Sequence, residues 1–130
     1  MRRVFVTGTA CLVLLVATTG CFRTALPMTG DPRLDLRCDD ALVVQRATRR
    51  AADERDLDAL PHLIFNLRSD NSWVRMMSLQ ALLKILGSED TRGFCYFAPV
   101  GDREHAVVAW EEWYDSTGRF LEPIAEEDQK

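Results

Sequence analysis

A stretch of helical periodicity between Asn71 and Gly87 constrains the fold more than any other feature of this chain. One stripe of apolar and small residues recurs there at the spacing of a single helix face; its members are Val74, Met77, Ser78, Ala81, Leu82 and Ile85. Gly87 favours a helix end because glycine adopts the left-handed conformation at little cost. The pattern therefore predicts an amphipathic helix that is closed at Gly87.

Three further segments have the same helical character. They are Asp39–Asp56, Leu57–Asp70 and Arg103–Ser116. Each has a carboxylate placed to accept hydrogen bonds from the free amides of its first turn; the candidates are Asp39 or Asp40, then Asp58, then Asp102. Pro61 fits the first turn of the second segment, where its missing N–H costs nothing. No strand-like alternation follows residue 20, so the sequence predicts an all-α fold of about four helices.

The first twenty residues have the layout of an export signal. Two arginines, Arg2 and Arg3, precede an apolar run that is densest from Ala10 to Ala17, and small residues then lead to Cys21. The apolar run is shorter than the roughly 20 residues that span a bilayer comfortably. We therefore expect residues 1–20 to be a signal peptide.

The remaining chain divides into three parts. Residues 21–37 contain Pro27, Gly30 and Pro32 and show no regular period, which predicts an extended tether. The alternative is a segment that packs along the domain through Leu34 and Leu36. Residues 38–116 form the predicted helical domain, and residues 117–130 form an acidic tail.

The helix pair Ala59–Gly87 resembles a HEAT repeat. The family pattern has an early proline, an aliphatic stripe, an aspartate in the turn, Val-Arg at the start of the second helix and a small residue after it. This chain matches the pattern with Pro61, Asp70, Val74, Arg75 and Ser78, although Met76 and Met77 stand where the family prefers alanine. The resemblance implies an α-solenoid, of the armadillo-like kind, that mediates protein–protein interaction.

The HEAT resemblance also implies a structural role for the matched residues. Asp70 is expected to accept from amides of the next helix, Val74 to fill the space between the helices, and Ser78 to permit their close approach. Arg75 is expected to reach a carboxylate or the carbonyls of a neighbouring turn. One repeat cannot bury both faces, so the first and fourth helices should cover it on either side.

The segment Thr18–Cys21 resembles a bacterial lipobox, with Thr18 where that motif usually carries an aliphatic residue. The resemblance implies lipid attachment at Cys21 after export and a protein anchored in the cell envelope by its N-terminal lipid. The alternative is a secreted or periplasmic protein without lipid.

Composition and motifs exclude several function classes. A net charge of -4 and a pI of about 5.1 argue against binding nucleic acid through phosphate neutralisation. No P-loop, G-x-S-x-G or H-E-x-x-H motif is present, and the adjacent Glu111 and Glu112 cannot face each other on a helix. We expect neither an enzyme nor a cofactor.

Two cysteines and two histidines follow Cys21. In an exported protein Cys38 and Cys95 suggest a disulfide bond, and the alternative is two unpaired thiols. Together with His62 and His105 they could form a Cys₂His₂ zinc site, but the spacing of zinc motifs is absent, so no metal is expected.

The sequence predicts a protein-binding adaptor whose contact surface lies on the third helix. The candidate surface residues are Trp73, Arg75, Met76, Leu79 and Gln80. The alternative is a small-ligand-binding lipoprotein that uses the aromatic residues of the 93–114 region. Those residues are Phe94, Tyr96, Phe97, Trp110, Trp113 and Tyr114. The same aromatic residues could instead have only a packing role, in a loop that folds over Trp110 and Trp113 as part of the core.

Overall fold

A computed structural model describes residues 27–123, and every regular element in that range is helical. The elements are α1 (Pro32–Leu36), α2 (Ala41–Glu54), α3 (Leu60–Asn66), α4 (Ser72–Leu86) and α5 (Val100–Ser116). Two 3₁₀ turns, Leu57–Ala59 and Gly118–Phe120, precede α3 and follow α5. The predicted all-α fold is confirmed.

The five helices lie in two layers. One layer contains α1, α3 and α5 in that order, and the other contains α2 beside α4. The pair α3–α4 is therefore covered by α1 and α2 on one side and by α5 on the other, as the sequence predicts. The fully buried side chains at the centre are Leu36, Leu60, Leu63, Leu67, Leu82, Val107 and Trp110.

Three helix boundaries follow the local signals in the sequence. The Asp40 carboxylate accepts from the Leu42 amide at 2.9 Å and caps α2. Pro61 lies at the start of α3. Gly87 closes α4 with φ 59°, a left-handed conformation that places its amide on the carbonyls of the last turn.

Two predicted caps are wrong. Asp58 does not cap its segment; Asp56 accepts from the Asp58 amide at 2.9 Å and begins the 3₁₀ turn instead. Helix α5 starts at Val100, three residues earlier than predicted, with Pro99 at the N-cap position and Asp102 inside the first turn. Proline's fixed φ and the extended backbone of Pro99 set this start, and no side chain caps it.

The predicted tether is also wrong in its second half. Residues 32–36 form helix α1, and Leu36 is fully buried while Leu34 is exposed. The buried Asp35 carboxylate accepts from the Thr29 amide at 2.8 Å, the Thr29 hydroxyl at 2.9 Å and the Gly30 amide at 3.2 Å. These bonds fold the preceding segment back onto α1. The predicted signal peptide, residues 1–20, and the predicted lipidation site Cys21 lie outside the described residues.

The predicted acidic tail, residues 117–130, begins with a folded turn, and residues 124–130 lie outside the described residues. The turn Gly118–Phe120 packs against α5, and Gly118 is buried beside the rings of Trp113 and Tyr114. A Cβ at position 118 would lie 2.7 Å from a Tyr114 ring carbon, so only glycine fits this contact.

Candidate functional site

The corner between α3 and α4 is built around a buried arginine. Arg75 donates from Nη1 to the carbonyls of Ser69 at 2.7 Å and Asp70 at 2.9 Å, and from Nε to the carbonyl of Tyr96 at 2.9 Å. Burial lowers the pKa of its guanidinium, and the nearby positive charge of Arg103 acts in the same direction. Arg75 thus joins the α3–α4 turn to the loop before α5, through the carbonyls of a turn as predicted.

Asp70 does not have the capping role that was predicted for it. Asn71 caps α4, accepting from the Trp73 amide at 2.9 Å through its side-chain oxygen. Asn71 is better placed because it directly precedes the first helical residue. Val74 and Ser78 are buried as expected, and the Ser78 hydroxyl has no hydrogen-bond partner among the described residues.

The predicted contact surface on α4 is only partly exposed. Arg75 and Leu79 are each 8% exposed, so neither can form part of an open surface, and this part of the prediction is wrong. Arg75 turns inward to the three carbonyls, and Leu79 packs into the core. Met76 is half-buried, while Trp73 and Gln80 are exposed.

Three exposed apolar side chains lie on or next to the two segments that Arg75 joins. Trp73 is 50% exposed, Phe97 74% and Val100 71%. Phe97 stands edge-to-face on Tyr96, with ring centroids 5.1 Å apart, and the Tyr96 carbonyl is bound by Arg75. We name Trp73, Tyr96, Phe97 and Val100 the aromatic edge.

The other aromatics of the 93–114 region belong mostly to the core. Trp110 is fully buried, stands edge-to-face on Trp113 and donates from its indole N–H to the Thr91 carbonyl at 3.0 Å. Phe94 is buried in the same cluster. Phe94 and Trp110 are therefore part of the core, as expected if the loop folds over Trp110 and Trp113. Trp113 differs, because one side of it lines a groove.

An ion-pair cluster that the sequence did not reveal holds α5 against α3. Arg68 binds Glu104 at 2.6 Å and also binds Glu111, which lies about two helical turns further along α5. The hydrogen bonds that Arg68 donates to the two carboxylates raise the pKa of its guanidinium, and they lower the pKa of Glu104. The signal was available in the spacing of Glu104 and Glu111, which puts both on one helix face.

The cysteines and histidines do not form a shared site. Cys38 and Cys95 are free thiols, which is one of the two alternatives that the sequence left open. The Cys38 sulfur lies at 3.4 Å from the Asp40 amide, from which it accepts. His62 accepts from Arg37 Nε at 3.2 Å, and burial lowers its pKa, while His105 is exposed. Within residues 27–123 no cluster of Cys, His, Asp and Glu suits a metal ion.

Comparison with known proteins gives no further guide. No protein-family model, no curated protein and no solved structure matches this chain.

Proposed function

We propose that this protein is an exported, lipid-anchored adaptor that binds a partner protein through the aromatic edge. The observation that carries the proposal is the exposure of Trp73, Phe97 and Val100 on or next to the two segments that Arg75 joins. Large exposed apolar side chains in one place favour a protein contact, because aromatic anchors supply much of the binding energy in such interfaces.

The Arg75 contacts support this use of the aromatic edge. A flexible loop would lose conformational entropy when it bound, whereas Arg75 already holds the Tyr96 backbone at 2.9 Å against α4. Phe97 therefore projects from a loop whose backbone is already held at the preceding residue, Tyr96. The matching partner surface has an apolar pocket that accepts an aromatic ring.

The HEAT resemblance supports the same proposal independently. Its residues Pro61, Asp70, Val74, Arg75 and Ser78 all lie on the α3–α4 pair, and the helices follow one another in two layers, as stacked helical hairpins do. Proteins built in this way commonly present rigid surfaces to other proteins rather than catalytic sites.

Anchoring in this proposal depends on Cys21, which lies outside the described residues. Among residues 27–123 the structure contains no helix with the length and hydrophobicity needed to cross a bilayer. The test is metabolic labelling with a radioactive or clickable fatty acid in wild type and in Cys21→Ala. Label in wild type alone is expected; equal labelling of both would contradict lipid attachment at Cys21.

The aromatic edge is tested by site-specific photo-crosslinking in intact cells. A photoreactive phenylalanine at position 97 is expected to give a discrete crosslinked product that disappears when Trp73→Ala is added. The matched control is the same label at Phe120, which is 71% exposed but follows the far end of α5. Identical products from both positions, or a product unaffected by Trp73→Ala, would refute an interface at the aromatic edge.

A further inference from the structure

The outer side of α2 presents a basic surface that the rest of the domain does not cover. Leu42, Gln45, Arg46 and Arg49 recur at the spacing of one helix face and line one open depression. Leu42 is 42% exposed, and both arginines are exposed as well. We name these four residues the α2 face.

The two carboxylates at the end of α2 do not neutralise the α2 face. Glu54 binds Arg50 at 2.9 Å, and Asp53 binds Lys84 of α4 at 2.6 Å. The hydrogen bond from Lys84 lowers the pKa of the Asp53 carboxyl, and Arg49 adds to this only through its charge. No side chain of the α2 face forms an ion pair or a hydrogen bond with any residue between 27 and 123. The surface therefore has positive charge in excess.

The two layers of helices also differ in charge. Helices α2 and α4 expose four basic and two acidic residues, which are Arg46, Arg49, Arg50 and Lys84 against Asp53 and Glu54. Helix α5 of the other layer has one basic and five acidic residues, which are Arg103 against Asp102, Glu104, Glu111, Glu112 and Asp115. The ion pairs of Arg68 with two of these carboxylates still leave α5 acidic. An anionic surface thus attracts the α2–α4 layer and repels α5.

The start of the described chain lies beside α2. Met28 packs against the core and shares a small cleft with Arg50 and Ala51 of α2. The chain from Cys21 to Met28 spans at most about 25 Å even when it is fully extended. Helix α1, which follows Met28, and α5 lie at opposite edges of their layer. A lipid on Cys21 would therefore hold a bilayer close to α2 and on the side of the domain away from α5.

We propose that the α2 face rests on an anionic phospholipid surface when the chain is anchored through Cys21. Since the anchor is the one proposed above, the inference rests on the proposed function. Arg46 and Arg49 bind lipid phosphates, and Leu42 enters the interfacial region between the headgroups. A membrane fits this face better than a protein, because the tether fixes the distance to the membrane and the face has no aromatic anchor.

The test is photo-crosslinking from α2 into lipid. The lipid-anchored full chain is reconstituted into vesicles of phosphatidylcholine and phosphatidylglycerol, with a photoreactive phenylalanine in place of Leu42. The matched control has the same label at Val108 of α5, which is 39% exposed and therefore similar to Leu42. An arginine near an anionic surface contributes a preference of about fivefold, so position 42 should give at least about fivefold more lipid crosslinks than position 108.

Combined replacement of Arg46→Gln and Arg49→Gln separates orientation from anchoring. Both side chains are exposed, so the fold should be retained, while lipid crosslinks at position 42 should fall about fivefold or more. Vesicles of phosphatidylcholine alone should have the same effect on the wild type. Arg119→Gln is the matched control, because Arg119 is an exposed arginine that binds Asp115 at the end of α5. Its crosslinks should be unchanged.

Flotation of the vesicles distinguishes the two levels of the proposal. A wild-type chain that does not float with vesicles would contradict the anchor itself, and the orientation of the α2 face would fall with it. A chain that floats but gives equal lipid crosslinks at positions 42 and 108 would leave the anchor intact and overturn the orientation. Crosslinks unaffected by the two glutamines would overturn it as well. Crosslinks from position 42 to a protein instead of lipid would assign the α2 face to a protein partner.

Discussion

Replacement of Arg75 by methionine is the most informative perturbation of the folded domain. The change keeps most of the side-chain length and removes the donors that serve the carbonyls of Ser69, Asp70 and Tyr96. A hydrogen bond to a charged group contributes about 1.5–3 kcal/mol. Three such bonds set the upper limit of the loss.

The net effect is smaller than that limit for two reasons. Ser69 and Tyr96 are half-buried and Asp70 is exposed, so water can replace part of what the guanidinium provides. Burial also lowers the pKa of Arg75, which means that the wild type bears a desolvation cost that methionine does not. We therefore expect the free energy of unfolding to fall by about 2–3 kcal/mol and the melting temperature by about 10–20 °C.

The assay is urea denaturation followed by far-ultraviolet circular dichroism and tryptophan fluorescence. Arg75→Lys should lose less than Arg75→Met, because an ammonium keeps the charge but cannot reproduce the fork. Arg46→Met is the matched control, since Arg46 is an exposed arginine of α2, and its change should be within about 0.5 kcal/mol.

Hydrogen exchange locates the loss. The amides of Phe94 and Ala98, which donate to the Thr91 and Cys95 carbonyls, should exchange faster in Arg75→Met than those in the middle of α2. A variant as stable as wild type would refute the reasoning, because desolvation of the guanidinium would then offset all three bonds. Uniformly faster exchange would refute the assignment of Arg75 to the loop.

Three further predictions test buried polar groups. Because amide and hydroxyl donors lower the pKa of Asp35 from 3.8, its stabilising contribution is present above that pH and lost as the pH falls through the lowered pKa, so Asp35→Asn should flatten the acid limb of a plot of urea midpoint against pH. Asn66→Ala removes the 2.8 Å bond from its Nδ2 to the Leu36 carbonyl and should reduce the free energy of unfolding by about 1–2 kcal/mol, measured by urea denaturation. Ser78→Ala removes a buried hydroxyl with no partner among the described residues and should leave the melting temperature unchanged or raise it by a few degrees, about what 0.5–1 kcal/mol produces.

Helix positions could be predicted from the sequence where the information is local. The stripe of α4 and its Gly87 terminus lie within one segment, so periodicity and a terminal glycine were sufficient there. Helix α1 was missed because five residues are too few to show a period. Its stability comes from the bonds of Asp35 to Thr29 and Gly30, and periodicity does not report such contacts.

The contact surface could not be predicted because burial on α4 depends on distant residues. Arg75 is buried because its guanidinium donates a hydrogen bond to the carbonyl of Tyr96, which lies 21 residues later in the chain.

The Arg68 ion pairs and the aromatic edge should act independently. Arg68→Met releases Glu104 and Glu111, whereas the Tyr96 carbonyl next to Phe97 stays bound by Arg75. Changes without shared partners usually act independently. The crosslink at position 97 should consequently persist in Arg68→Met, and its loss there would show that the ion pairs between α3 and α5 position the aromatic edge.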